Sequence, residues 1–415
     1  MVNNSGSILV IGFVWPEPKT TAAGNRMLQL LHFFLAHDYQ LTFATTAAQT
    51  EFSLDLGAMG IGCQQIELNS SSFNDFLVRL APNLVVFDRF LTEEQFGWRV
   101  AEAAPDALRV LDTEDLHSLR SVREHCFRAR KDFSIDQWLR SDIAKREIAS
   151  IYRSDLSLII SSFEIQLLKG TAKIDGELLM LLPFQIDEIG ESQRKQWLSF
   201  EERTDFICIG NGKHAPNIDA VYWLKTEIWP LIRKALPKVA LHIYGAYLPQ
   251  HIEQMHNTKE GFYVHGWVDD ISGVLGKSRV NLAPLRFGAG IKGKLIDAMC
   301  NGTPNITTRI GAEGMHADLA WNGILADSAN TLAQEAVALY SNKAQWQKYQ
   351  DNGTTIVNDL YSKMQHDLRL QQRLDVIKSN LNKHRAHNFI GSMLMHQTMA
   401  STKYMSKWIE AKNKF

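Results

Sequence analysis

Cysteines and long apolar runs are scarce in this sequence. The 415 residues include only 4 cysteines, which are far apart, form no C-x-x-C pair and have no clustered histidines beside them. Neither a zinc site nor a disulfide framework is therefore indicated. No stretch approaches the ~20 apolar residues that a transmembrane helix needs, and the opening residues, MVNNSGSILVIGF, lack the basic segment of a secretion signal. We expect a cytoplasmic protein with reduced thiols.

Net charge is also nearly absent. Lys and Arg number 44 against 45 Asp and Glu, which gives a formal charge of −1 at pH 7. This balance gives no reason to expect nucleic acid as a partner. With 45% hydrophobic and 21% charged residues, the chain has the composition of a globular protein and is long enough for two domains with separate cores.

Short apolar runs alternate with helical periodicity in two series. The first series has strand-like runs at Ser7–Phe13, Gln40–Thr46, Gln64–Leu68, Leu84–Asp88, Leu108–Leu111, Leu156–Ser161 and Leu178–Pro183. The second has them at Asp205–Gly210, Val239–Tyr244, Phe262–Val268, Arg279–Leu285 and Asn305–Thr308. This alternation predicts an α/β fold with parallel sheets covered by helices. We expect domains at 1–185 and 205–360, a polar linker at 186–204, and helices from 361 to 415.

In such sheets ligands bind beyond the carboxyl ends of the strands. This rule directs attention to the loops Pro16–Arg26, Asp88–Phe90 and Asp112–His117. The third loop groups Asp112, Glu114, Asp115 and His117 after a strand. Because burying so many ionisable groups is costly, the loop is a candidate functional site.

The second series contains a glycine-rich turn between its fourth strand and a helix at about Lys292–Cys300. Arg286 and Lys292 lie on either side of Gly288, Ala289 and Gly290. A glycine loop, two cations and a helix start together suit an anionic group, most simply a diphosphate.

Residues 288–293 also match the G-x-G-x-x-G pattern of dinucleotide-binding proteins, with Glu313 about twenty residues further on. Two features argue against a nicotinamide cofactor. The turn lies deep in the second series, and Lys292 projects a charge where that pattern requires close packing.

Several linked motifs resemble one enzyme family. They are Gly210-Asn211-Gly212, His214-Ala215-Pro216-Asn217, Ile228-Trp229-Pro230, Gly266-Trp267-Val268-Asp269-Asp270, Pro284–Lys294 and Gly311-Ala312-Glu313-Gly314. Their order and spacing, over about Phe206 to Leu325, resemble those of glycosyltransferase family 4, the group 1 glycosyltransferases of GT-B fold. Pro16-Glu17-Pro18 and Asp112–His117 extend the resemblance weakly into the first domain.

The resemblance implies two Rossmann-like, doubly wound domains that face a cleft, with a C-terminal helix crossing back. It implies a UDP-, GDP- or dTDP-sugar as donor substrate, a glycan, lipid-linked or protein acceptor, and no cofactor or metal. The expected donor-binding residues are Gly24, Arg26, Gly210, Asn211, Arg286, Gly288, Ala289, Gly290, Ile291, Lys292 and Asp297. The expected catalytic residues are His117, Asp115 and Glu313.

The sequence departs from the family at one point. Two glutamates commonly flank this glycine turn in the family, and the later one binds the ribose. Here Ala289 and Asp297 stand at these positions. Asp297 can still accept hydrogen bonds from ribose, whereas the earlier carboxylate is missing and main-chain groups of Ala289–Ile291 are expected to substitute.

The expected function is therefore glycosyl transfer with retention of configuration, in the synthesis of a cell-surface glycan or glycoconjugate. Two alternatives remain: a GT-B epimerase that acts on the nucleotide sugar itself, and a non-catalytic nucleotide-sugar-binding protein. The sequence does not indicate the donor base, the acceptor or the oligomeric state.

The C-terminal segment from Val376 is basic and amphipathic. Its cations are Lys378, Lys383, Arg385, Lys403, Lys407, Lys412 and Lys414, against the single acid Glu410. Its apolar residues are Phe389, Ile390, Met393, Leu394, Tyr404, Met405, Trp408 and Ile409. The segment is expected to pack back on the first domain, and the alternative is contact with the anionic inner face of a membrane.

Overall fold

The structure is a computed structural model. It describes residues 6–396 and, beyond them, the separate positions Met405, Trp408, Ile409 and Lys412. The predicted features of the tail at Lys403, Tyr404, Lys407, Glu410 and Lys414 lie outside the described residues.

A parallel sheet of 7 strands forms the first domain, in the order β3-β2-β1-β4-β5-β6-β7. Its strands are β1 Ser7–Gly12, β2 Gln40–Thr45, β3 Gly62–Gln65, β4 Leu84–Asp88, β5 Leu108–Asp112, β6 Leu156–Ile159 and β7 Leu179–Leu181. The central strands β1, β4 and β6 are buried along almost their whole length. Their continuous Ile, Val and Leu runs therefore suit a sheet that is covered on both faces.

The helices of the first domain are α1 Ala22–Ala36, α2 Ser72–Leu80, α3 Arg89–Ala103, α4 His117–Arg128, α5 Ile135–Arg140, α6 Asp142–Arg153 and α7 Ser162–Gly170. Local capping fixes where several of them begin. Thr21 accepts a hydrogen bond from the N–H of Gly24 at the start of α1, and Ser134 forms a capping box with Gln137 at α5. Such caps satisfy backbone donors that the first turn of a helix leaves free.

The second domain has a parallel sheet of 6 strands in the order β10-β9-β8-β11-β12-β13. The strands are β8 Thr204–Ile209, β9 Leu241–Tyr244, β10 Phe262–Gly266, β11 Ser278–Ala283, β12 Asn305–Thr307 and β13 Gly323–Leu325. The short helix α8, Glu191–Arg194, precedes them. The helices of this domain are α9 Ala215–Trp223, α10 Trp229–Ala235, α11 Gln250–Glu253, α12 Ile271–Lys277, α13 Gly293–Cys300, α14 Arg309–Ala312, α15 Ala329–Ser341 and α16 Lys343–Leu360.

The chain crosses between the domains twice, and the crossings lie side by side. The N–H of Ile186 donates to the carbonyl of Tyr361 at 2.8 Å, and the N–H of Lys363 donates to the carbonyl of Ile186 at 2.8 Å. After the second crossing, α17 Lys363–Ser379, α18 Leu381–His387 and α19 Phe389–His396 follow. Leu370, Leu374 and Ile377 of α17 join the apolar cluster of β1 and α1 in the first domain. The described part of the C-terminal segment thus packs back on the first domain, as expected.

The α/β prediction is confirmed, with every predicted strand present and most ends within a few residues. The short strand β13 was not predicted. Between β8 and β9, the helices α9 and α10 are joined by a π-helical turn, Leu224–Ile228. The domain and linker boundaries stay predictions, although residues 186–204 include α8 and the buried Ile189.

Candidate active site

The glycine-rich turn lies between β11 and α13, at the carboxyl edge of the second sheet. Gly288 and Gly290 have φ values of 153° and 65°, a region that L side chains rarely adopt. A Cβ atom on Gly290 would lie 2.6 Å from the Cβ of Asp115 in the first domain. The turn is therefore built from glycine because its backbone lies directly against the opposite domain.

Lys292 precedes the first residue of α13 and is 8% exposed. Its Nζ donates to the carbonyl of Gly290 at 2.8 Å. Burial lowers the pKa of Lys292 to about 8, although Glu313 and Glu164 favour the charged form. A cation buried in the turn at a helix start is suited to neutralise a bound phosphate.

A second lysine, Lys294, was not among the predicted residues. Its Nζ donates to Oδ1 of Asn217 on α9 at 2.6 Å, and burial lowers its pKa below the usual range. The nearby Asp297, predicted to bind ribose, is half-buried. Burial raises the pKa of Asp297 to about 7, and the charge of Lys294 opposes this shift.

Arg286, the other predicted phosphate ligand, is already paired. It binds Asp219 of α9 with two hydrogen bonds, Nε at 2.9 Å and Nη2 at 2.7 Å. Its guanidinium also lies over the rings of Phe127 and Trp223, at 4.7 and 4.8 Å from their centroids. Arg286 is thus held in a fixed orientation at the turn, with its charge shared by Asp219.

The apolar residues of the turn pack across the domain boundary. Ala289 belongs to the apolar cluster of the first domain that contains Leu116 and Leu119. Ile291 packs in a cluster with Ile160, which follows β6 of the first domain, and with Phe184, which lies between the two sheets in the sequence. The side chains of both residues are occupied in packing, so only their main-chain groups are offered to a ligand.

Three helix N-termini meet beside this turn. An added Cβ on Gly293, the first residue of α13, would lie 3.0 Å from the Cβ of Ala22, the first residue of α1. Lys294 links α13 to the start of α9 through Asn217. The predicted residues Gly210 and Asn211 follow β8 here, and Nδ2 of Asn211 donates to the carbonyl of Thr20 at 3.1 Å. Helix N-termini attract anions through their free N–H groups and dipoles.

The predicted catalytic pair lies at the start of α4 and faces the second domain. Nε2 of His117 is 3.2 Å from Oδ1 of Asp115, and Nε of Arg120 is 3.4 Å from Oδ2. Nη1 of Arg120 also lies 2.9 Å from Nε2 of His214, which precedes α9. Burial disfavours the Asp115 carboxylate, but Arg120, His117 and His214 outweigh it and lower the pKa of Asp115.

Burial lowers the pKa of His117 to about 3, even though Asp115 favours its charged form. The imidazole is therefore neutral near pH 7 and has one nitrogen able to accept a hydrogen bond. The backbone N–H groups of His117 and Ser118 donate to Glu147, at 2.9 and 3.0 Å, which fixes the start of α4. Burial raises the pKa of Glu147 to about 7.

Glu313, the third predicted catalytic residue, is paired with an arginine of the first domain. Arg123 on α4 donates from Nη1 and Nη2 to the two carboxylate oxygens, at 2.6 and 2.8 Å. This geometry gives Glu313 a role in holding the domains together. Arg123 had no signal in the sequence, because it is one of three arginines within an ordinary amphipathic helix.

Two predicted donor-binding residues of the first domain, Arg26 and Gly24, make contacts within that domain. Arg26 is 1% exposed. Its guanidinium donates to Asp112 from Nε and Nη2, at 2.8 and 2.6 Å, and to the carbonyl of Leu182. Gly24 donates its N–H to Thr21, and an added Cβ would lie 2.4 Å from the carbonyl carbon of Glu17. Arg26 therefore stabilises the sheet, and Gly24 lets the loop before α1 fold closely.

The loops after β4 and β5 add a strained acidic group. Arg89 and Glu114 have φ values of 72° and 65°, and strain of this kind often marks functional sites. Asp88 lies 3.3 Å from Arg89 and is 4% exposed. Burial, with a further contribution from Asp112, raises the pKa of Glu114 to about 8. Among the residues that the structure describes, no three His, Cys, Asp or Glu side chains are grouped so as to hold a metal ion.

The family model described as "Glycosyl transferases group 1" matches residues 203–342. The matched region contains the glycine turn, Lys292, Lys294 and Glu313. Over this part the chain is similar to the group 1 glycosyl transferases. The group 1 region thus begins just before β8 and ends between α15 and α16. The sequence matches none of the curated proteins with which it was compared.

Solved structures extend the comparison to both domains. Sucrose-phosphate synthase from Thermosynechococcus elongatus is 16% identical over 90% of this chain and 99% of that chain, with a TM-score of 0.67. HepE from Anabaena, solved with UDP and glucose, is 14% identical over 89% and 99%, with a TM-score of 0.62. WaaG, a glycosyltransferase involved in lipopolysaccharide biosynthesis, is 12% identical over 88% and 98%, with a TM-score of 0.61. At such low identities the similarity shows the fold alone, and this fold is GT-B, as expected.

Proposed function

We propose that the protein is a glycosyltransferase that moves a sugar from a nucleoside diphosphate sugar to an acceptor hydroxyl. One observation carries the proposal. The glycine turn of the group 1 region, with the buried Lys292, lies where the N-termini of α1, α9 and α13 meet. HepE, which shares the fold, was solved with UDP and glucose. In this protein, the carboxyl edge of the second sheet beside the glycine turn is the proposed donor site.

The diphosphate is proposed to lie at the glycine turn. Lys292 and Lys294 supply positive charge, and the main-chain N–H groups of the turn and of the helix starts supply hydrogen bonds. As the bond from the sugar to the diphosphate breaks, negative charge grows on the leaving phosphate. Cations that are already in place stabilise that charge without rearranging, which is a large source of catalysis. Asp297 is proposed to bind the ribose hydroxyls.

His117 and Asp115 are proposed to act on the acceptor side of the cleft. The neutral imidazole of His117 accepts a hydrogen bond from a substrate hydroxyl, and Asp115 with Arg120 holds the ring in place. The strained loops at Arg89 and Glu114 lie on the same side and are proposed to shape the acceptor site. Closure of the two domains excludes water and brings donor and acceptor together.

Retention of configuration and independence from a metal are part of the proposal. Lys292, Lys294 and the helix dipoles can together neutralise the leaving diphosphate. A divalent cation provides this neutralisation in metal-dependent enzymes. A role in cell-surface glycan synthesis is proposed from the similarity of fold to WaaG, which is involved in lipopolysaccharide biosynthesis. Assignment to glycosyltransferase family 4 rests on the motifs of the group 1 region.

Peripheral contact with a membrane is proposed for the C-terminal helices. Among the described residues, no helix is long and apolar enough to cross a membrane. Phe389 is 68% exposed and Trp408 is 59% exposed, and Ile390 and Met393 are also exposed. Exposed apolar side chains beside lysines suit the boundary between lipid headgroups and acyl chains. A lipid-linked acceptor at an anionic inner membrane surface would then be within reach.

The function is tested by offering purified protein UDP-, GDP- and dTDP-sugars together with a membrane extract as acceptor. The expected result is transfer of one sugar to an acceptor, with product NMR showing the anomeric configuration of the donor and with EDTA leaving the rate unchanged. Interconversion of the donor sugar without any transfer would favour the epimerase. Donor binding with neither reaction would favour the non-catalytic binding protein.

A further inference from the structure

Two side chains of the first domain form hydrogen bonds with the glycine turn of the second domain, one on each side of Ala289. Glu164 of α7 accepts a hydrogen bond from the N–H of Gly290 at 2.8 Å. Arg123 of α4 donates from Nη1 to the carbonyl of Gly288 at 2.9 Å. The backbone of the proposed phosphate-binding turn is thus fixed by residues that belong to the opposite domain.

Glu164 has the surroundings of a positioning group. Its side chain is fully buried, and Oε1 also accepts from the N–H of Leu116 at 3.1 Å, so one oxygen joins a backbone group from each domain. Oε2 is buried and has no hydrogen-bond partner in the part of the chain that the structure describes. Because Oε2 is shut away from the cleft, Glu164 acts on the backbone of the turn and not on a substrate.

Arg123 makes the second hydrogen bond to the turn, and its own side chain is held by several contacts. Its two Nη atoms bind Glu313, and its guanidinium lies 5.2 and 5.4 Å from the ring centroids of Phe133 and Phe163. Arg123 therefore binds the second domain at two separate points, the carbonyl of Gly288 and the carboxylate of Glu313. A planar guanidinium with several donors suits such a contact better than the ammonium of lysine.

Ala289 fits the space between these two contacts. Its methyl group enters the apolar cluster of the first domain beside Leu116 and is 9% exposed. A larger polar side chain at position 289 would have to be buried in that cluster, close to Glu164. The small apolar residue at this position and the two flanking hydrogen bonds therefore belong to a single interdomain contact.

We propose that Glu164 and Arg123 are positioning residues that set the donor-binding conformation of the turn Gly288–Ala289–Gly290 when the domains close. We call this contact the clasp. Its effect on catalysis rests on the proposed function, because the turn is the proposed diphosphate site. Its effect on the turn itself does not depend on any donor, so the two ideas can be tested separately.

The direct test is amide hydrogen exchange of a peptide covering residues 286–293, measured without donor. In the clasp the N–H of Gly290 is buried and hydrogen-bonded. Loss of a buried hydrogen-bond partner changes the equilibrium between the closed and the locally opened amide by about tenfold or more. We therefore expect Glu164→Ala and Arg123→Ala to speed exchange of this peptide by about tenfold or more. Glu164→Gln keeps an oxygen acceptor at Oε1 and is expected to retain most of the protection.

Glu93→Ala is the matched control. Glu93 is another buried acid of the first domain, 3% exposed, and it pairs with Arg153 within that domain. This variant should lower thermal stability without exposing the glycine turn. If it speeds exchange at residues 286–293 as much as Glu164→Ala does, the effect is general loosening of the fold and the clasp is refuted. Unchanged exchange in Glu164→Ala and Arg123→Ala also refutes it.

A second experiment measures steady-state kinetics of the same variants with the donor that the wild type accepts. If the clasp positions the turn, the donor KM should rise by about tenfold or more in Glu164→Ala and Arg123→Ala, with a smaller change in kcat. In Glu164→Gln the donor KM should return close to the wild-type value. A loss of kcat alone, or no rescue by Gln, would contradict a positioning role. If the wild type binds no nucleotide sugar but the exchange results are as expected, the clasp stands and the proposed function fails.

Discussion

Replacing Gly290 by Ala should disable the protein without unfolding it. In the closed arrangement the new Cβ would lie 2.6 Å from the Cβ of Asp115, and the residue would keep a φ of 65°. A left-handed backbone costs an L residue about 1–2 kcal/mol, and forcing a methyl group into a packed space costs about 1–3 kcal/mol. The backbone strain acts in the open and closed forms alike, so only the steric cost of about 1–3 kcal/mol opposes closure, which lowers the closed population by about fivefold to about 150-fold.

The Cβ of Asp115, which the new methyl group would contact, belongs to the first domain, so opening the cleft relieves the contact. We therefore expect Gly290→Ala to reduce kcat/KM for the donor by at least about fivefold and to lower the melting temperature of the second domain by only a few degrees. Gly276→Ala on α12 is the control, because an added Cβ there meets nothing within 4 Å. Steady-state kinetics measures kcat/KM, thermal unfolding measures the melting temperature, and small-angle X-ray scattering measures how far the domains close. A Gly290→Ala enzyme with normal kcat/KM and normal compactness would refute the reasoning.

Three further changes have expected outcomes. Ala289→Glu places the residue that the family commonly has into a buried apolar cluster beside Glu164, so we expect lower kcat/KM and a lower melting temperature; a gain in activity would contradict this. His117→Ala removes the proposed acceptor contact and should reduce kcat by about a hundredfold with little change in donor affinity, as measured by titration with the nucleoside diphosphate; unchanged kcat would remove His117 from the mechanism. Because burial lowers the pKa of Lys292 to about 8 in the free protein, donor affinity should fall as the pH rises through and above that value, and this fall should be absent in Lys292→Met.

The fold and the donor turn could be predicted from the sequence because their signals are local. Apolar runs of strand length and helical periodicity repeat along the chain, and the turn at Gly288–Gly290 follows from glycines next to a strand and a helix. The family motifs lie in one continuous segment that the group 1 model also matches. Lys292 was found because a single cation within a glycine turn is unusual in itself.

The contacts between the domains could not be predicted, because they join residues far apart in the sequence. Arg26 looked like a free cation in a ligand-facing loop, yet Asp112 lies beside it across the sheet and binds it. Glu164 is an ordinary acid in the first turn of α7, and only the tertiary structure brings it to Gly290. A pattern read along the chain shows which residues are charged, but not which opposite charge or backbone group each one meets.

The central claim is that the turn beside Lys292 binds the diphosphate of a sugar nucleotide. Isothermal titration of the wild-type protein and of Lys292→Met with UDP, GDP and dTDP tests it most directly. We predict that one of the three binds the wild type in a 1:1 ratio and binds Lys292→Met about tenfold or more weakly, because a charge-assisted contact with phosphate is lost. Absence of binding by all three, or equal affinity in the two proteins, would contradict it.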